Sequence, residues 1–288
     1  MRWVKGHGTE NDFLVLPDPD GTVHGQLDAD FVVALCDRRR GIGADGVLRA
    51  LRTSALAQPD ASGLAGPAEW FMDYRNSDGS LSQMCGNGIR VFALHLAREG
   101  LVDTVDPLPI ATRGGIKWVT FADDGLISVD MGTARPLPET KIGVQGRTWP
   151  AYGVDLGNPH AVVLVEDLDD AGPLLDPPDH DDGVFGEGVN VEFVRRVAPG
   201  HLAMRVHERG SGETRSCGTG ACAAVVAVTQ VAGDVDASGP AMAPASDLAY
   251  QIEVAGGRLD VTWCADGHLH LAGPAEIVAA GAMTWSGC

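Results

Sequence analysis

The sequence predicts an α+β protein made of two similar halves, each with a central apolar helix packed against a sheet. The chain has 288 residues, which is enough for two domains. Residues 72–91 and 204–223 align without a gap, so that Met72 falls on Met204 and Cys85 on Cys217. The repeat recurs after about half the chain, which indicates a duplicated domain and not a solenoid array.

The repeated elements follow one another in the same order in both halves. Apolar runs at 89–100 and 221–233 predict buried helices, and both end at glycine. Residues 114–132 and 256–274 each predict a hairpin around Asp-Gly. A looser match pairs 8–16 with 157–165.

The seam between the halves is expected near 132–150, where three prolines cluster. This predicts a first domain over 1–132 and a second over 133–275. Residues 53–68 and 166–182 have the composition of surface loops. The acidic character of the second could suggest a ligand site, but its prolines and irregular spacing favour a solvated loop.

Composition excludes several classes of function. The chain has 21 Lys and Arg against 39 Asp and Glu, a formal net charge of −18. Such an acidic surface argues against nucleic acid and anionic membranes as partners. No apolar run approaches the ~18 residues of a membrane span. The N-terminus has no long apolar segment of a secretory signal, so we expect a cytoplasmic protein.

Six cysteines are too few for a disulfide scaffold, and no Cys-x-x-Cys pair occurs. We expect free thiols in a reducing compartment. Four of them are predicted to be structural or incidental: Cys36 in a helical run, Cys222 inside the second helix, Cys264 in a strand and Cys288 at the last position. Only three lysines are present, which leaves few candidates for a pyridoxal phosphate Schiff base.

Cys85 and Cys217 are the candidate reactive groups, because each lies where a Gly-rich loop enters a predicted helix. Unpaired N–H groups at a helix start lower a thiol's pKa from ~8.5 and can also hold a carboxylate. Two acid/base groups on opposite faces of one substrate suit the inversion of a stereocentre. One removes a proton as thiolate while the other delivers one as thiol.

Other interpretations of the glycine and histidine patterns are weaker. Residues 41–46 match GxGxxG but follow a helical run, and residues 218–223 match only the relaxed form. Neither lies in a βαβ unit, which argues against a dinucleotide site. Cys264, His268 and His270 have a metal-like spacing, but they fit alternating positions of a hairpin better. We therefore expect no metal site.

Six motifs give the chain a close resemblance to the diaminopimelate epimerase family. They are GHGTENDF at 6–13, RRGIGADG at 39–46, NSDGSLSQMCGNGIR at 76–90, GNPHAV at 157–162, GVNVEF at 188–193 and ERGSGETRSCGTGACA at 208–223. The resemblance implies two pseudo-symmetric domains, each a mostly antiparallel sheet wrapped around a central helix, with the active site in the cleft between them. It also implies cofactor-free interconversion of LL- and meso-2,6-diaminopimelate, in lysine and peptidoglycan-precursor synthesis.

By this resemblance, Cys85 and Cys217 are the acid/base pair, and His160 and Glu208 tune the thiols. The substrate-binding residues it implies are Asn11, Asn76, Gly86, Asn87, Asn158, Asn190, Glu208, Arg209, Gly218 and Thr219. Backbone groups at the two Cys-Gly motifs would hold the reacting carboxylate, and the amides with the arginine fork would hold the distal end. Such groups suit a substrate with two ammonium and two carboxylate groups.

Three further expectations come with the resemblance. Some family members have a substrate-touching Gln where this chain has Gly46, so that contact must be lost, replaced by water or made by a neighbouring group. The tail 276–288 is expected to return to the first domain. We also expect a homodimer with a small-molecule substrate as its ligand and no cofactor.

Two alternatives remain open at this stage. A proline or hydroxyproline racemase shares a two-cysteine mechanism, but those relatives carry His where this chain has Asn87, and a secondary amine has no use for Arg209. In a different class, the two cysteines could form the switch of a thiol redox sensor. Proton exchange of diaminopimelate or proline in D₂O separates these hypotheses.

Overall fold

The computed structural model describes residues 1–25, 27–56, 66–186, 188–233 and 242–284. These residues form two compact units. One comprises Met1–Val129 with the segment from Pro274 onward, and the other comprises Asp130–Gly273. The middle of the predicted 53–68 loop, the end of the tail and Cys288 lie outside the described residues.

The first unit is a twisted sheet with two helices. Its strands are β1 (Arg2–Gly8), β2 (Asn11–Pro17), β3 (Gly46–Arg52), β4 (Trp70–Asn76), β5 (Leu108–Thr112), β6 (Gly115–Phe121), β7 (Ile127–Thr133), which continues into the second unit, and β17 (Glu276–Ala282). Its helices are α1 (Ala29–Cys36) and α2 (Gly86–Arg98), with a short 3-10 turn at Thr53–Ala55. The strand order is β17-β1-β2-β3-β4-β5-β6-β7.

The second unit repeats this plan around one helix. Its strands are β8 (Arg135–Val144), β9 (Arg147–Asp155), β10 (Pro159–Leu164), β11 (Asn190–Ala198), β12 (His201–Glu208), β13 (Gly212–Thr214), β14 (Leu248–Val254), β15 (Gly257–Trp263) and β16 (His268–Gly273). The helix is α3 (Gly218–Ala232), and a 3-10 turn spans Leu168–Ala171. The main order is β8-β9-β10-β11-β12-β14-β15-β16, with the short β13 also paired to β12.

The pairing pattern is the same in both units. The pairs β2–β3 and β4–β5 are parallel in the first, as are β10–β11 and β12–β14 in the second, and the other pairings are antiparallel. Parallel neighbours need a long crossover. In both units the second crossover contains the apolar helix, α2 or α3. The predicted α+β class with mostly antiparallel sheets is confirmed.

The two central helices are buried because most of their surface is apolar. Helix α2 packs against β1, β2, β3, β4 and β17, and α3 packs against β9, β10, β11, β15 and β16. In α3 eleven of fifteen residues are buried. At 15 residues it is also the longest helix described, and no helix in the described ranges is both long and apolar enough to cross a membrane.

Both predicted helices begin three residues earlier than their apolar patterns suggested, at Gly86 and Gly218. The glycines have weak helix propensity, but a cysteine side chain caps each first turn. Helix α3 ends as predicted at Gly233, whose φ of 77° is the left-handed conformation that favours glycine.

Both Asp-Gly hairpins are confirmed, as β6–β7 and β15–β16. Cys264 is not in a strand, contrary to the sequence-based prediction. Strand β15 ends at Trp263, and the backbone N–H of Cys264 donates to the carbonyl of His268 to close the turn. His268 and His270 alternate along β16 as expected, and His268 contacts the carboxylate of Asp130.

Candidate active site

Each candidate cysteine is the N-cap of a central helix. Cys85 precedes α2 and Cys217 precedes α3, both in extended backbone conformation. The sulfur of Cys85 accepts from the N–H of Gly88, and that of Cys217 accepts from the N–H of Gly220, both at 3.4 Å. The repeat seen in the sequence is therefore also a repeat of local geometry. In both units the sulfur lies over N–H groups that the helix leaves unpaired.

In the first unit, an amide oxygen faces the thiol. Asn11 lies at the start of β2, and its Oδ1 is 3.8 Å from the Cys85 sulfur and accepts from the side-chain amide of Asn87 at 3.2 Å. The Asn11 amide nitrogen donates to Asp45 at 2.8 Å. Because Asp45 fixes the nitrogen on one side, the oxygen points to the thiol and the helix start.

A charged cluster holds Asp45 in turn. Arg38 donates to Asp45 and to Asp12, both at 2.7 Å, and Lys5 pairs with Asp12 at 2.9 Å. Burial would raise the pKa of Asp12, but the hydrogen bonds and charges of Arg38 and Lys5 outweigh it and hold the pKa below its ordinary value. Asp12 therefore stays ionised and anchors the arginine that positions Asp45.

A fully buried arginine braces the first turn of α2. Arg90 has no exposed surface, and it donates to the Asn87 side-chain oxygen at 3.0 Å and to the Gly86 carbonyl at 3.1 Å. Thr9 adds a weak hydrogen bond to the same Asn87 oxygen. The position of Asn87, itself 1% exposed, is thus fixed from two sides.

Asn76 lies where β4 turns. Its side-chain nitrogen donates to the Ser80 hydroxyl at 2.9 Å, as a turn residue does. Gly46, at the start of β3, pairs with Asn76. A Cβ at position 46 would lie 2.7 Å from the ring of Tyr74 and 2.7 Å from the Arg75 carbonyl oxygen. Any larger side chain therefore has no room there without a shift of this strand pair.

In the second unit, the acidic side chains of Glu208 and Glu192 lie near the Cys217 thiol. Cys217 is 5% exposed and lies 3.5 Å from the Thr219 hydroxyl. Glu208, the last residue of β12, hydrogen-bonds both Cys217 and Thr214. Burial raises the pKa of Glu208, and the nearby carboxylate of Glu192 adds to the effect.

The electrostatics at Cys217 are opposite to the lowering that a helix start alone predicts. Burial raises the pKa of this thiol well above its ordinary value, and the carboxylates of Glu208 and Glu192 raise it further. The Thr219 hydroxyl and the Gly220 N–H lower the pKa, but by less. Cys217 is therefore protonated at neutral pH in the free protein.

A hydrogen-bonded chain leads away from Cys217 through the first turn of α3 to strands β10 and β11. Asn158 donates to the Thr219 hydroxyl at 3.4 Å, and its side-chain oxygen lies 3.2 Å from His160 Nε2. His160 Nδ1 lies 2.7 Å from Glu192 Oε1. His160 and Glu192 are both completely buried.

Asn190 and Arg209 contact each other beside the buried His160. Asn190 begins β11 next to His160 of β10, and its side-chain oxygen accepts from the backbone N–H of Arg209 at 2.9 Å. Arg209 itself is exposed. All seven predicted residues in this unit other than Cys217 thus lie next to Cys217 or next to residues that contact it.

The structure also brings four residues into these contacts that the sequence did not reveal, namely Arg38, Asp45, Arg90 and Glu192. Arg90 and Glu192 carried a signal, since each is a charged residue in an otherwise apolar run. Arg38 and Asp45 carried no such signal of charge within an apolar run, because they contact side chains of strand β2 from outside it.

The other described cysteines lack this chemistry. Cys36 is buried beside Asp12 and Asp45, and burial with these charges raises its pKa to about 12. Cys222 is buried inside α3. Cys264 lies in the β15–β16 turn, where burial and neighbouring aspartates raise its pKa.

The family model described as "Diaminopimelate epimerase" matches residues 3–137 and 152–278. A protein named diaminopimelate epimerase from Streptomyces coelicolor is 52% identical over 98% of this chain and 94% of its own length. The protein of that name from Thermobifida fusca is 46% identical over 98% of this chain and 97% of its own length.

Solved structures of low sequence identity share the fold. A PhzF-family phenazine biosynthesis protein from Bacillus anthracis superposes with a TM-score of 0.64 at 16% identity, covering 98% of each chain. A hydroxyproline epimerase from Agrobacterium vitis superposes with a TM-score of 0.60 at 15% identity, covering 98% of this chain and 91% of its own. These likenesses concern the fold alone.

Proposed function

The chain belongs to the diaminopimelate epimerase family and is an isomerase, and from that premise we propose that it interconverts LL- and meso-2,6-diaminopimelate by a two-cysteine acid/base mechanism. The substrate serves lysine and peptidoglycan-precursor synthesis. The single observation that carries the mechanism is the repeated geometry of Cys85 and Cys217 as helix N-caps.

The proposed reaction exchanges one C–H bond for another. Cys85 as thiolate takes the α-proton from one face, so that the C–H bond breaks and an S–H bond forms. Cys217 as thiol delivers its proton to the opposite face, and its sulfur is left as thiolate. The reverse direction swaps the roles, and exchange with solvent resets the pair. The raised pKa of Cys217 supports its role as the acid of the resting enzyme.

We assign the reacting α-carboxylate to the two helix starts. Backbone groups of Gly86 and Asn87 in one unit, and of Gly218 and Thr219 in the other, belong to the first turns of α2 and α3. The N–H groups of a helix start are suited to bind an anion. As the α-proton leaves, negative charge spreads into this carboxylate. Donors already fixed in place stabilise that charge without reorganising.

We assign the distal end of the substrate chiefly to Arg209 with Asn11, Asn76, Asn158 and Asn190. Arg209 is exposed and has the planar fork that binds a carboxylate through two hydrogen bonds. The asparagines offer both donors and acceptors, which suits a group carrying ammonium and carboxylate together.

His160 and Glu208 are proposed to tune the thiols. The contact of Glu208 with Cys217 supports this, because a nearby carboxylate favours the protonated form of the sulfur. His160 reaches Cys217 through Asn158 and Thr219.

Deuterium exchange tests the proposal directly. The reduced protein should catalyse exchange of the α-proton of LL- and meso-diaminopimelate in D₂O, with inversion, and should leave L-proline unchanged. Exchange on L-proline instead would indicate a racemase of the related fold. Activity that needs oxidation or a partner protein would indicate a thiol sensor.

The cellular setting is also part of the proposal. Two free catalytic thiols need a reducing compartment, which supports a cytoplasmic enzyme. We expect a homodimer, and sedimentation of the purified protein at micromolar concentration tests this.

A further inference from the structure

The buried pair of Glu192 and His160 poses a problem of proton counting. His160 Nδ1 faces the carboxylate oxygen of Glu192 at 2.7 Å, and Nε2 faces the amide oxygen of Asn158 at 3.2 Å. Both ring nitrogens thus face acceptors. A neutral histidine beside an ionised glutamate has one proton for these two contacts, so one contact would join two acceptors.

The burial of Glu192 also indicates that the Glu192–His160 pair holds two protons. Glu192 is completely buried, and among the described residues its Oε2 has no hydrogen-bond partner. An ionised glutamate beside a neutral histidine would leave a net negative charge in this enclosed position, which is costly. A second proton makes the pair neutral overall. Whether that proton lies on Nδ1 or on Oε1, the histidine keeps a proton on Nε2.

A proton on His160 Nε2 determines which group donates and which accepts in each hydrogen bond from His160 to Cys217. Nε2–H donates to Asn158 Oδ1, so the Asn158 amide nitrogen is turned to Thr219 and donates to its hydroxyl oxygen. The Thr219 hydroxyl proton is then left for the sulfur of Cys217, 3.5 Å away.

This direction gives each form of Cys217 a suitable partner. As a thiol, Cys217 donates to Glu208, and as a thiolate it accepts from Thr219 and from the N–H of Gly220. The carboxyl group of Glu192 also lies close to the start of α3. A Cβ atom added to Gly220 would lie only 2.6 Å from Glu192 Oε1. Glu192 therefore contacts His160 at one end of the hydrogen-bonded chain and lies close to Gly220, near Cys217, at the other end.

We propose that Glu192 is a positioning residue for the epimerisation. It supplies the second proton of a neutral pair with His160 and so directs the hydrogen bonds through Asn158 and Thr219, whose hydroxyl donates to the Cys217 thiolate. Within the proposed function on which it rests, this explains how Cys217 can become a thiolate beside Glu208 and Glu192 when it acts as the base.

Nitrogen-15 NMR of the histidine side chains tests the proton count in the unaltered protein. His160 is assigned by its loss from the spectrum of His160→Gln. We expect a one-bond proton coupling on Nε2 at every pH at which the enzyme works. An Nε2 without a proton would overturn the proposal, because Asn158 would then turn its nitrogen to His160 and the Thr219 hydroxyl would donate to Asn158. The spectrum needs no substrate, so this result would leave the two-cysteine mechanism standing.

Two substitution pairs test the chain by activity. Thr219→Ser keeps the hydroxyl and should stay within about twofold of the parent kcat/KM, whereas Thr219→Val should lose about tenfold or more. Glu192→Gln can donate to Nδ1 and should retain far more activity than the apolar Glu192→Met. Equal rates within either pair would overturn the proposal.

A matched control exists in the same unit. His201 and Glu253 form a similar pair at 2.9 Å on the surface, away from Cys217. Glu253→Gln should leave kcat/KM unchanged. If neither Glu192 variant folds, the Thr219 pair and the wild-type spectrum still decide the question.

Discussion

Asn11 is held with its side-chain oxygen toward Cys85 because its nitrogen donates to Asp45 Oδ2 at 2.8 Å. The hydrogen bond to Asp45 therefore determines that the oxygen of the Asn11 amide, and not its nitrogen, faces the Cys85 thiol. Without it, the Asn11 side chain could rotate and present its nitrogen instead.

Asp45→Ala should therefore reduce kcat/KM by tenfold to a hundredfold, from the loss of one charge-assisted hydrogen bond of about 1.5–3 kcal/mol. Stability should change little, because the Asp45 side chain is 41% exposed. Exchange rates and thermal unfolding measure the two effects. Asp20→Ala is the control, since Asp20 is a surface aspartate paired with Arg52. Equal activity in both variants would show that Asp45 does not orient Asn11.

Cys85→Ala and Cys217→Ala should each abolish net inversion, because each removes the proton donor or acceptor on one face. Slow exchange without inversion can survive where the remaining thiol still removes a proton. Chiral chromatography with mass detection separates the two outcomes. Cys264→Ala, at a thiol in the β15–β16 turn, should behave as the parent. Near-parental inversion by either catalytic-site variant would exclude the two-thiol mechanism.

Glu208→Gln should shift the pH dependence of the reaction. Burial, Glu208 and Glu192 all raise the pKa of Cys217, while Thr219 and the Gly220 N–H lower it, and His160 is the other titratable group nearby. Removing the charge of Glu208 lowers the pKa of the thiol. In the direction where Cys217 is the acid, activity is lost as pH rises through that pKa, so the basic limb of kcat/KM should move to lower pH. A basic limb that stays in place would show that Glu208 does not tune this thiol.

Arg209→Lys should lower kcat/KM for LL-diaminopimelate, with a loss of transition-state stabilisation of about 2–4 kcal/mol. The reason is that the ammonium group of lysine cannot make the bidentate contact of a guanidinium group. L-Lysine should be a poor substrate of the parent, because it leaves the arginine unpaired. The matched control is Arg258→Lys, at an exposed arginine paired with Asp260. If Arg209→Lys keeps the activity of the parent, Arg209 does not bind the distal carboxylate of the substrate.

Gly46→Ala should destabilise the first unit by about 1–3 kcal/mol, because the added Cβ meets the Tyr74 ring and the Arg75 carbonyl at 2.7 Å. Denaturant unfolding measures the change. Gly66→Ala is the control, since a Cβ there has no atom of the described residues within 4 Å. Equal stability of the two variants would show that the β3–β4 pair shifts at little cost.

The sequence was informative where a pattern repeats and silent where the partner comes from a distant strand. The duplicated Cys-Gly motifs predicted two equivalent helix starts, which α2 and α3 confirm. Their first residues were placed three positions late, because glycines have weak helix propensity and cysteine is not a usual N-cap. Cys264 was placed in a strand because its apolar neighbours continue the alternation, although a turn hydrogen bond ends β15 one residue earlier.

The electrostatics of Cys217 were not predictable in the same way. A helix start indicates a lowered pKa, but the burial of the thiol and the approach of Glu192 become visible only with the sheet assembled. The parallel register of β10 and β11 places His160 beside Asn190, two residues before Glu192 on the same strand. No local spacing in the sequence reports that register.

The pairing of β1 with β17 has a consequence for the order in which the chain folds during synthesis. The second unit is one continuous segment and has all its strands once Gly273 has left the ribosome. The first unit is made earlier but lacks β17, so the outer edge of β1 stays open while some 140 further residues are translated. An open strand edge attracts other strands. The nascent first unit thus exposes an unpaired strand edge until β17 is made, although it leaves the ribosome first.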